Sequence, residues 1–362
     1  MRILYAVGSW GLGHATRSLP LIQALLARGA GVTVVSTGRA LLLLLEELGE
    51  RCEFVDWPDV PQTLGRSALE FYARSALALP RMVQVMYRER AWTAELVRRR
   101  RFDRIVSDNR YGVQHPAVPS FHLAHSLRFI APGRVGPLEW AMEAFNYRWF
   151  RGLRRILVPD TSEDRLSGDL AHRLRIFPPA QLAYVGILSR IRARELPQDL
   201  DLFITLSGPE PQRTVLEEIL RRQLAAWRPA ARGLRVVVAL GRPEAPRREE
   251  AEGVEVYGYL DGRGQEEMVN RARVVVARSG YSTIMELAEV ERQAVLVPTP
   301  GQTEQVYLAT YHGRRGAVRA VAQSRLALPR DVEAAAACPG LRARQKTEGA
   351  VRRAVDLILA GA

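Results

Sequence analysis

The chain has 362 residues, 47% of them hydrophobic and 25% charged, with two cysteines and a formal net charge of +13. That is enough chain for two ordinary domains. It excludes a disulfide-built scaffold and, with no apolar run near the ~20 residues of a membrane span, a helical membrane bundle. The positive balance favours anionic partners such as nucleotide diphosphates or acidic lipid surfaces; no zinc-ligand spacing, ribonucleoprotein aromatics or helix-turn-helix pattern supports nucleic acid as a partner.

Residues 1–7 are too short an apolar run for a secretory leader, and no small-residue cleavage site follows. With Cys52 and Cys338 too few for a disulfide framework, a reducing cytoplasm is the expected location. Residues 2–7 predict a first strand. Gly8-Ser-Trp-Gly-Leu-Gly-His-Ala-Thr-Arg17 follows as a glycine loop opening a helix. Its spacing is G-x-x-G-x-G, not the dinucleotide G-x-G-x-x-G, and Trp10 is bulky where a backbone must approach a pyrophosphate, so hydride transfer is not expected. His14 follows this loop at the carboxyl end of a strand, where open α/β sheets place their ligands, and a functional role is favoured over a structural one.

Further on, strands are predicted near 31–36 and 52–55, helices over 39–48 and 67–101 with a break at Pro80, and strands over 102–109 and 117–123. Asp108 ends the fourth of these strands and is the second residue expected at the crevice. His115, His122 and His125 have no carboxylate at metal-ligand spacing and are read as structural. Residues 137–155 predict a helix whose stripe of Leu138, Met142, Phe145 and Trp149 is core. Trp140, Tyr147, Arg151 and Arg154 lie opposite, suited to a membrane interface or to packing between domains.

From Pro159 the pattern loosens, and a boundary is expected within 160–200. A second series begins at residue 200, with strands near 234–239, 253–257, 273–277 and 294–297 and a last helix over 342–359. The most informative stretch is Val274-Val-Val-Ala-Arg-Ser-Gly-Tyr-Ser-Thr-Ile-Met-Glu286: a buried strand, a Ser279-Gly280 turn, then a helix that Ser282 or Thr283 can cap. Such a junction offers orphan N–H groups and the positive end of a dipole to an anion, and Glu286 one turn further offers a carboxylate to sugar hydroxyls. An ordinary βα turn with a solvated Glu286 is the competing reading. Thr205-Leu-Ser-Gly-Pro-Glu-Pro-Gln212 and Val297-Pro-Thr-Pro-Gly-Gln-Thr-Glu-Gln305 are two more strand–glycine–helix junctions, so three would converge on one crevice suited to a sugar nucleotide.

Taken together, Arg278-Ser-Gly-Tyr-Ser-Thr-Ile-Met-Glu286 and Val297-Pro with Glu304-Gln305 resemble the MurG-type glycosyltransferases of fold type B. The loop with Gly11, Gly13 and His14 is similar to that family's N-terminal loop, and Val185-Gly186 with Arg190 to its inter-domain segment. The family's Gly-Gly-Ser at the first loop of the second domain is Leu206-Ser207-Gly208 here, followed by Pro209.

The resemblance implies an α/β chain of two Rossmann-like domains facing across a cleft. An acceptor-binding domain would span 1–165, an inter-domain segment 166–199 and a nucleotide-sugar domain 200–362, with the last helix packing back on the first. It implies that Glu286 binds ribose, Glu304 and Gln305 the donor sugar, and Ser207, Gly208 and the turn of Ser279, Gly280, Ser282 and Thr283 the diphosphate. Tyr259 and Leu260 would lie against the base, Arg190 would add a cation, and His14 would be the general base, oriented by Asp108.

The expected activity is inverting, metal-independent transfer of N-acetylglucosamine or another hexose. The UDP-sugar is a co-substrate and no cofactor is expected; the acceptor hydroxyl is of unassigned identity, with a lipid-linked one in view. A sugar-nucleotide epimerase of the same architecture would turn over donor without acceptor. A basic lipid-binding protein without catalysis would show no saturable nucleotide binding.

Overall fold

The structure, a computed structural model, describes residues 1–60, 68–208, 210–242, 249–251 and 254–361. Pro209 and the expected helix start at Ser67 lie outside the described residues. Two compact units are formed. The first comprises residues 1–60, 69–190 and 344–361, the second residue 68 and residues 191–343 of the described set.

In the first unit the elements are β1 (Arg2–Val7), α1 (Gly13–Ala27), β2 (Gly31–Ser36), α2 (Gly38–Leu48), β3 (Glu53–Asp56), α3 (Ala68–Arg99), β4 (Arg104–Asp108), β5 (Ser120–Leu123), α4 (Gly136–Phe150), β6 (Arg155–Val158) and β7 (Leu182–Tyr184). The sheet order is β3-β2-β1-β4-β5-β6-β7 and every pairing is parallel. Apolar runs such as Ile3–Val7, fully buried, suit a sheet covered on both faces. Strand order reverses between β1 and β4, and there an open sheet leaves a crevice at its carboxyl edge.

The second unit carries β8 (Leu200–Thr205), α5 (Gln212–Trp227), β9 (Val236–Ala239), β10 (Glu249–Ala251), β11 (Val254–Tyr257), α6 (Gly262–Arg271), β12 (Ala272–Ala277), α7 (Tyr281–Val290), β13 (Gln293–Leu296), α8 (Thr303–Arg314), β14 (Arg319–Ala320) and α9 (Leu328–Ala336). Its order is β10-β11-β9-β8-β12-β13-β14, parallel throughout except for β10 against β11. Leu202, Ile204, Val274, Val276 and Val295 from the sheet pack with Leu216 and Leu220 of α5. The reversal here falls between β8 and β12. The chain is thus α/β with two parallel-sheet units, as the sequence implies.

The first unit takes in residues 166–190, which the sequence reading sets apart, and also α10 (Thr347–Ala360), which starts later than the expected 342. Arg104 Nε donates to Ile358 O at 2.9 Å, and Arg28 pairs with Asp356. Gly186 has φ +100, and a Cβ there would meet Gln345 Cγ at 2.8 Å and Ala350 Cβ at 3.0 Å, so only glycine lets the returning chain come this close.

Two expectations are corrected. α3 runs through Pro80 without a break: the proline is exposed, and the lost hydrogen bond is outweighed by a helix of 32 residues that buries Met86, Glu89 and Thr93. The apolar stripe of α4 is core only in part: Trp149 lies in the core and Phe145 packs against it, but Leu138 is exposed. Leu138 and Trp140 are exposed, while Glu139, Glu143, Asn146, Trp149 and Phe150 are buried. Glu143 holds Arg128 at 2.9 Å and accepts the N–H groups of Arg175 and Ile176 at 2.6 and 2.7 Å, and Asn146 donates to Leu127 O at 2.9 Å. Loops with unpaired backbone groups drew the polar side chains inward. Of the face read as outward, Tyr147 packs edge-on against Phe177 and Trp140 lies under the Arg175 guanidinium at 4.3 Å.

Candidate functional site

At the switch point of the first unit, Gly8 leaves β1 so close to β4 that a Cβ on it would meet Asn109 Cβ at 3.0 Å; its N–H donates to Asp108 O at 2.8 Å. The glycine loop then turns through Gly11 at φ +75 and enters α1 at Gly13. Asp59 holds the loop down, its Oδ2 accepting Ser9 N at 2.6 Å and Ser9 Oγ at 3.0 Å. Behind Asp59, buried Arg110 bonds Glu89, whose carboxyl burial pushes up while Arg110 and the N–H of Gly112 oppose the shift.

One face of α1 carries His14, Arg17 and Ser18, three and four residues apart, and all reach Asp108. His14 Nδ1 lies 2.8 Å from Asp108 Oδ1, Arg17 Nε donates to Oδ2 at 2.7 Å, a second Arg17 nitrogen donates to Oδ1, and Ser18 Oγ donates to Oδ2 at 2.9 Å. Asp108 is fully buried. Burial opposes its charge, but Arg17 and then His14 overcome that and hold the carboxyl well below the usual range. A carboxylate only accepts, so His14 Nδ1 carries the proton and its Nε2 lone pair is available for a base.

In the second unit the carboxyl ends of β11, β9, β8, β12 and β13 line one edge, neighbouring strands ~4.8 Å apart. After β8 come exposed Ser207 and Gly208, the latter at φ +101; after β12 come Arg278, Ser279 and Gly280. α7 starts at Tyr281 with Gly280 as N-cap and no side-chain cap, so Ser282 and Thr283 lie inside the first turn and do not cap it as expected. Extended Gly280 starts the helix early, one residue before either hydroxyl could cap it. α8 likewise lacks a side-chain cap, with Gln302 at its N-cap, whereas the Glu210 carboxylate accepts Thr214 N at 3.2 Å in the first turn of α5.

Half-buried Glu286 sits on the second turn of α7, and half-buried Glu304 on the first turn of α8. Exposed Tyr259 and half-buried Leu260 follow β11 on the same carboxyl edge.

Sequence reasoning and structure differ at several positions. Ser279 is buried and its hydroxyl donates to Gln305 O at 2.8 Å, joining two junctions. Gln305 accepts Thr299 N at 2.9 Å and donates to Gln302 Oε1, so its side chain braces the β13–α8 loop. Arg190 is the last residue of its stretch of the first unit, not part of the second.

Sequence reasoning also missed several residues. Arg17 and Ser18 join the His14–Asp108 pair, and their spacing from His14 on one helix was the available signal. His125, read as structural, has its Nδ1 2.8 Å from Arg17 Nη1. Arg278, 1% exposed, donates to Gln212 O at 2.7 Å and to Val297 O and Pro298 O at 3.3 Å, tying three junctions together, and burial pushes its guanidinium down to about 10. An arginine directly after a buried strand was its only sequence sign.

Residues 221–347 match the glycosyltransferase family 28 C-terminal domain. Over 230 residues the chain is 28% identical to a UDP-N-acetylglucosamine--N-acetylmuramyl-(pentapeptide) pyrophosphoryl-undecaprenol N-acetylglucosamine transferase of Sorangium cellulosum (strain So ce56). The match covers 56% of this chain and 55% of the relative, so the chain spans about half the length of that curated relative.

Among solved structures it is similar to the glycotransferase of kitacinnamycin, with a TM-score of 0.64 and 18% identity over 99% of this chain and 98% of that one. The MurG of Acinetobacter baumannii gives 0.57 and 15% over 99% of each. CalG4, the calicheamicin glycosyltransferase, gives 0.62 and 18% over 99% of this chain and 94% of that one. The resemblance to MurG-type chains of fold type B is borne out in the matched domain and in the fold.

Proposed function

We propose that this chain is an inverting glycosyltransferase that moves a hexose from a UDP-sugar to an acceptor hydroxyl without a metal. The observation that carries the reading is the contact of His14 Nδ1 with Asp108 at 2.8 Å, which leaves the outer imidazole nitrogen free for a proton. The match of residues 221–347 supports the donor class.

In this reading the first unit holds the acceptor and the second the donor. His14 Nε2 takes the hydroxyl proton as the acceptor oxygen attacks the anomeric carbon. The bond from that carbon to the diphosphate oxygen breaks, and the electron pair leaves with UDP. A single displacement inverts the anomeric centre. The start of α7, with Ser207 and Gly208, stabilises the departing diphosphate. Glu286 takes the ribose hydroxyls, Glu304 and the remaining amide N–H of Gln305 the sugar, Tyr259 and Leu260 the base, and Arg190 adds positive charge. Asp108 keeps the imidazole in the productive tautomer, the role of the carboxylate in other base dyads.

A lipid-linked acceptor fits the exposed Leu138 and Trp140 of α4 with Arg175, a surface suited to the inner face of a membrane. Among the described residues no helix is long and apolar enough to cross one. Co-sedimentation with anionic vesicles that falls with salt is the expected result for that surface.

The test of the activity is a panel of nucleotide sugars. One donor should raise the melting temperature by mass action and release its nucleoside diphosphate only when an acceptor is supplied. Turnover of the donor with no acceptor would point instead to epimerisation, and no saturable binding of any nucleotide would sink both readings.

A further inference from the structure

The turn that ends β4 serves the glycine loop twice. Asp108 reaches His14 directly. Two residues on, past Asn109 at φ +60, Arg110 is buried with its guanidinium spread over two segments. Its Nε donates to Glu89 of α3, its Nη1 to Trp57 O at 3.2 Å and its Nη2 to Pro58 O at 3.1 Å. Nη1 also stands 3.9 Å from Asp59 Oδ2, the oxygen that accepts Ser9 N and Ser9 Oγ. The Trp10 indole N–H donates to Val60 O. Residues 57–60 are therefore bonded on one side to the arginine and on the other to the loop that leads to His14.

The side chains of Arg110, Glu89 and Asp59 are 0%, 1% and 5% exposed, and buried charges persist only when paired and hydrogen-bonded. Glu89 also accepts Gly112 N at 2.8 Å, and α3 lies so close that a Cβ on Gly112 would meet Met86 O at 2.1 Å. Because β3 ends at Asp56, the fork of Arg110 takes over where the strand ladder stops. A planar guanidinium can hold two carbonyls and a carboxylate at once; an ammonium is a point charge without that fork.

We propose that Arg110 is a positioning residue: held by Glu89, it fixes residues 57–60 and, through Asp59, the glycine loop that places His14. In the transfer reaction, the part of the inference that rests on the proposed function, it governs the step at the acceptor hydroxyl and leaves donor binding alone.

The test is amide hydrogen exchange of the full chain by NMR, which needs no substrate, alongside kcat for transfer and calorimetry with UDP. Arg110→Lys keeps a charge beside Glu89 and loses the fork. It should speed exchange at Ser9 by about 10–100-fold, the factor for losing charged hydrogen bonds, while the amides of β1 hold their wild-type rates. kcat should fall with UDP affinity unchanged. Asp59→Ala cuts the same link at its other end and should act alike, and it serves if Arg110→Lys does not fold. The two changes together should cost little more kcat than either alone, as expected of residues that act through one contact.

Unmoved Ser9 exchange in folded Arg110→Lys or Asp59→Ala would overturn the assignment, as would β1 exchange rising with it, or UDP affinity falling with kcat. Exchange changes as expected in a chain that transfers no sugar would leave the Arg110 assignment standing and remove the transferase reading. Sugar transfer by the wild type with unmoved exchange in the variants would do the reverse.

Discussion

Gln305 Oε1 accepts the backbone N–H of Thr299 at 2.9 Å, closing the loop between β13 and α8 on itself. Gln305 O receives the Ser279 hydroxyl at 2.8 Å, so the same residue ties this loop to the turn after β12. Thr299 is buried, and a Cβ on Gly208 would lie 3.7 Å from its hydroxyl. Gln305→Ala should therefore cost stability as well as donor affinity, by about 1–3 kcal/mol for a part-buried N–H left unmet. Gln305→Glu keeps the acceptor for Thr299 and should hold the stability while weakening the sugar. Denaturant unfolding and calorimetry read the two effects separately, and unchanged stability in Gln305→Ala would remove the brace.

Glu286 is the proposed ribose ligand. Glu286→Ala should weaken the nucleotide sugar by about 1–3 kcal/mol, the range for charged hydrogen bonds, with little change in fold. Calorimetric affinity equal to the wild type would take Glu286 out of the site.

His14→Ala should lower kcat by ~10²–10⁴-fold, the usual loss when general-base assistance is removed, while donor affinity stays near wild type. Full activity would place the base elsewhere. Lost donor binding would move His14 to the diphosphate seat. Asp108→Asn should lower kcat less than His14→Ala.

Activity should survive chelators. The one Asp-x-Asp pair considered for a metal–diphosphate bridge, Asp199 and Asp201, lies at the amino end of β8. Asp199 there is paired with Arg235 and Arg271, and Asp201 with Arg273. Turnover lost in chelator and restored by magnesium or manganese would overturn the metal-independent mechanism.

Stability should fall in acid. Burial opposes the charge on Asp108 and Asp160, but their partners hold both folded carboxyls below the unfolded value: Arg17 and His14 for the first, His172 and Ser167 for the second. Their contribution is full above about pH 4, the unfolded range, and is lost as pH drops through the lowered folded values. Asp160→Asn should flatten that slope while lowering stability at neutral pH, because the amide keeps fewer of the bonds to Thr161, Leu166, Ser167 and His172. Glu89, raised by burial, works the other way, its contribution fading as pH rises. Urea midpoints from neutral to acid pH, wild type against Asp160→Asn, measure this.

The sequence by itself determined the alternation of buried strands and glycine-opened helices, hence two parallel sheets and the junctions at residues 8–14, 206–212, 278–283 and 297–305. Those features are local: an apolar run of strand length and a glycine turn mean the same thing wherever they stand. His14 and Asp108 were legible for the same reason, each ending or following a strand.

Only the tertiary structure decided what surrounds them. Asp108 lies 91 positions from Arg17, and nothing in the spacing of either shows that one guanidinium will bridge it to His125. Likewise Glu143 turns inward from α4 to meet the N–H groups of Arg175 and Ile176, which the fold brings to it and the helix's own apolar period does not show. Helical and strand patterns report which residues avoid water. Which charges and backbone groups must be satisfied together is settled only when distant segments meet.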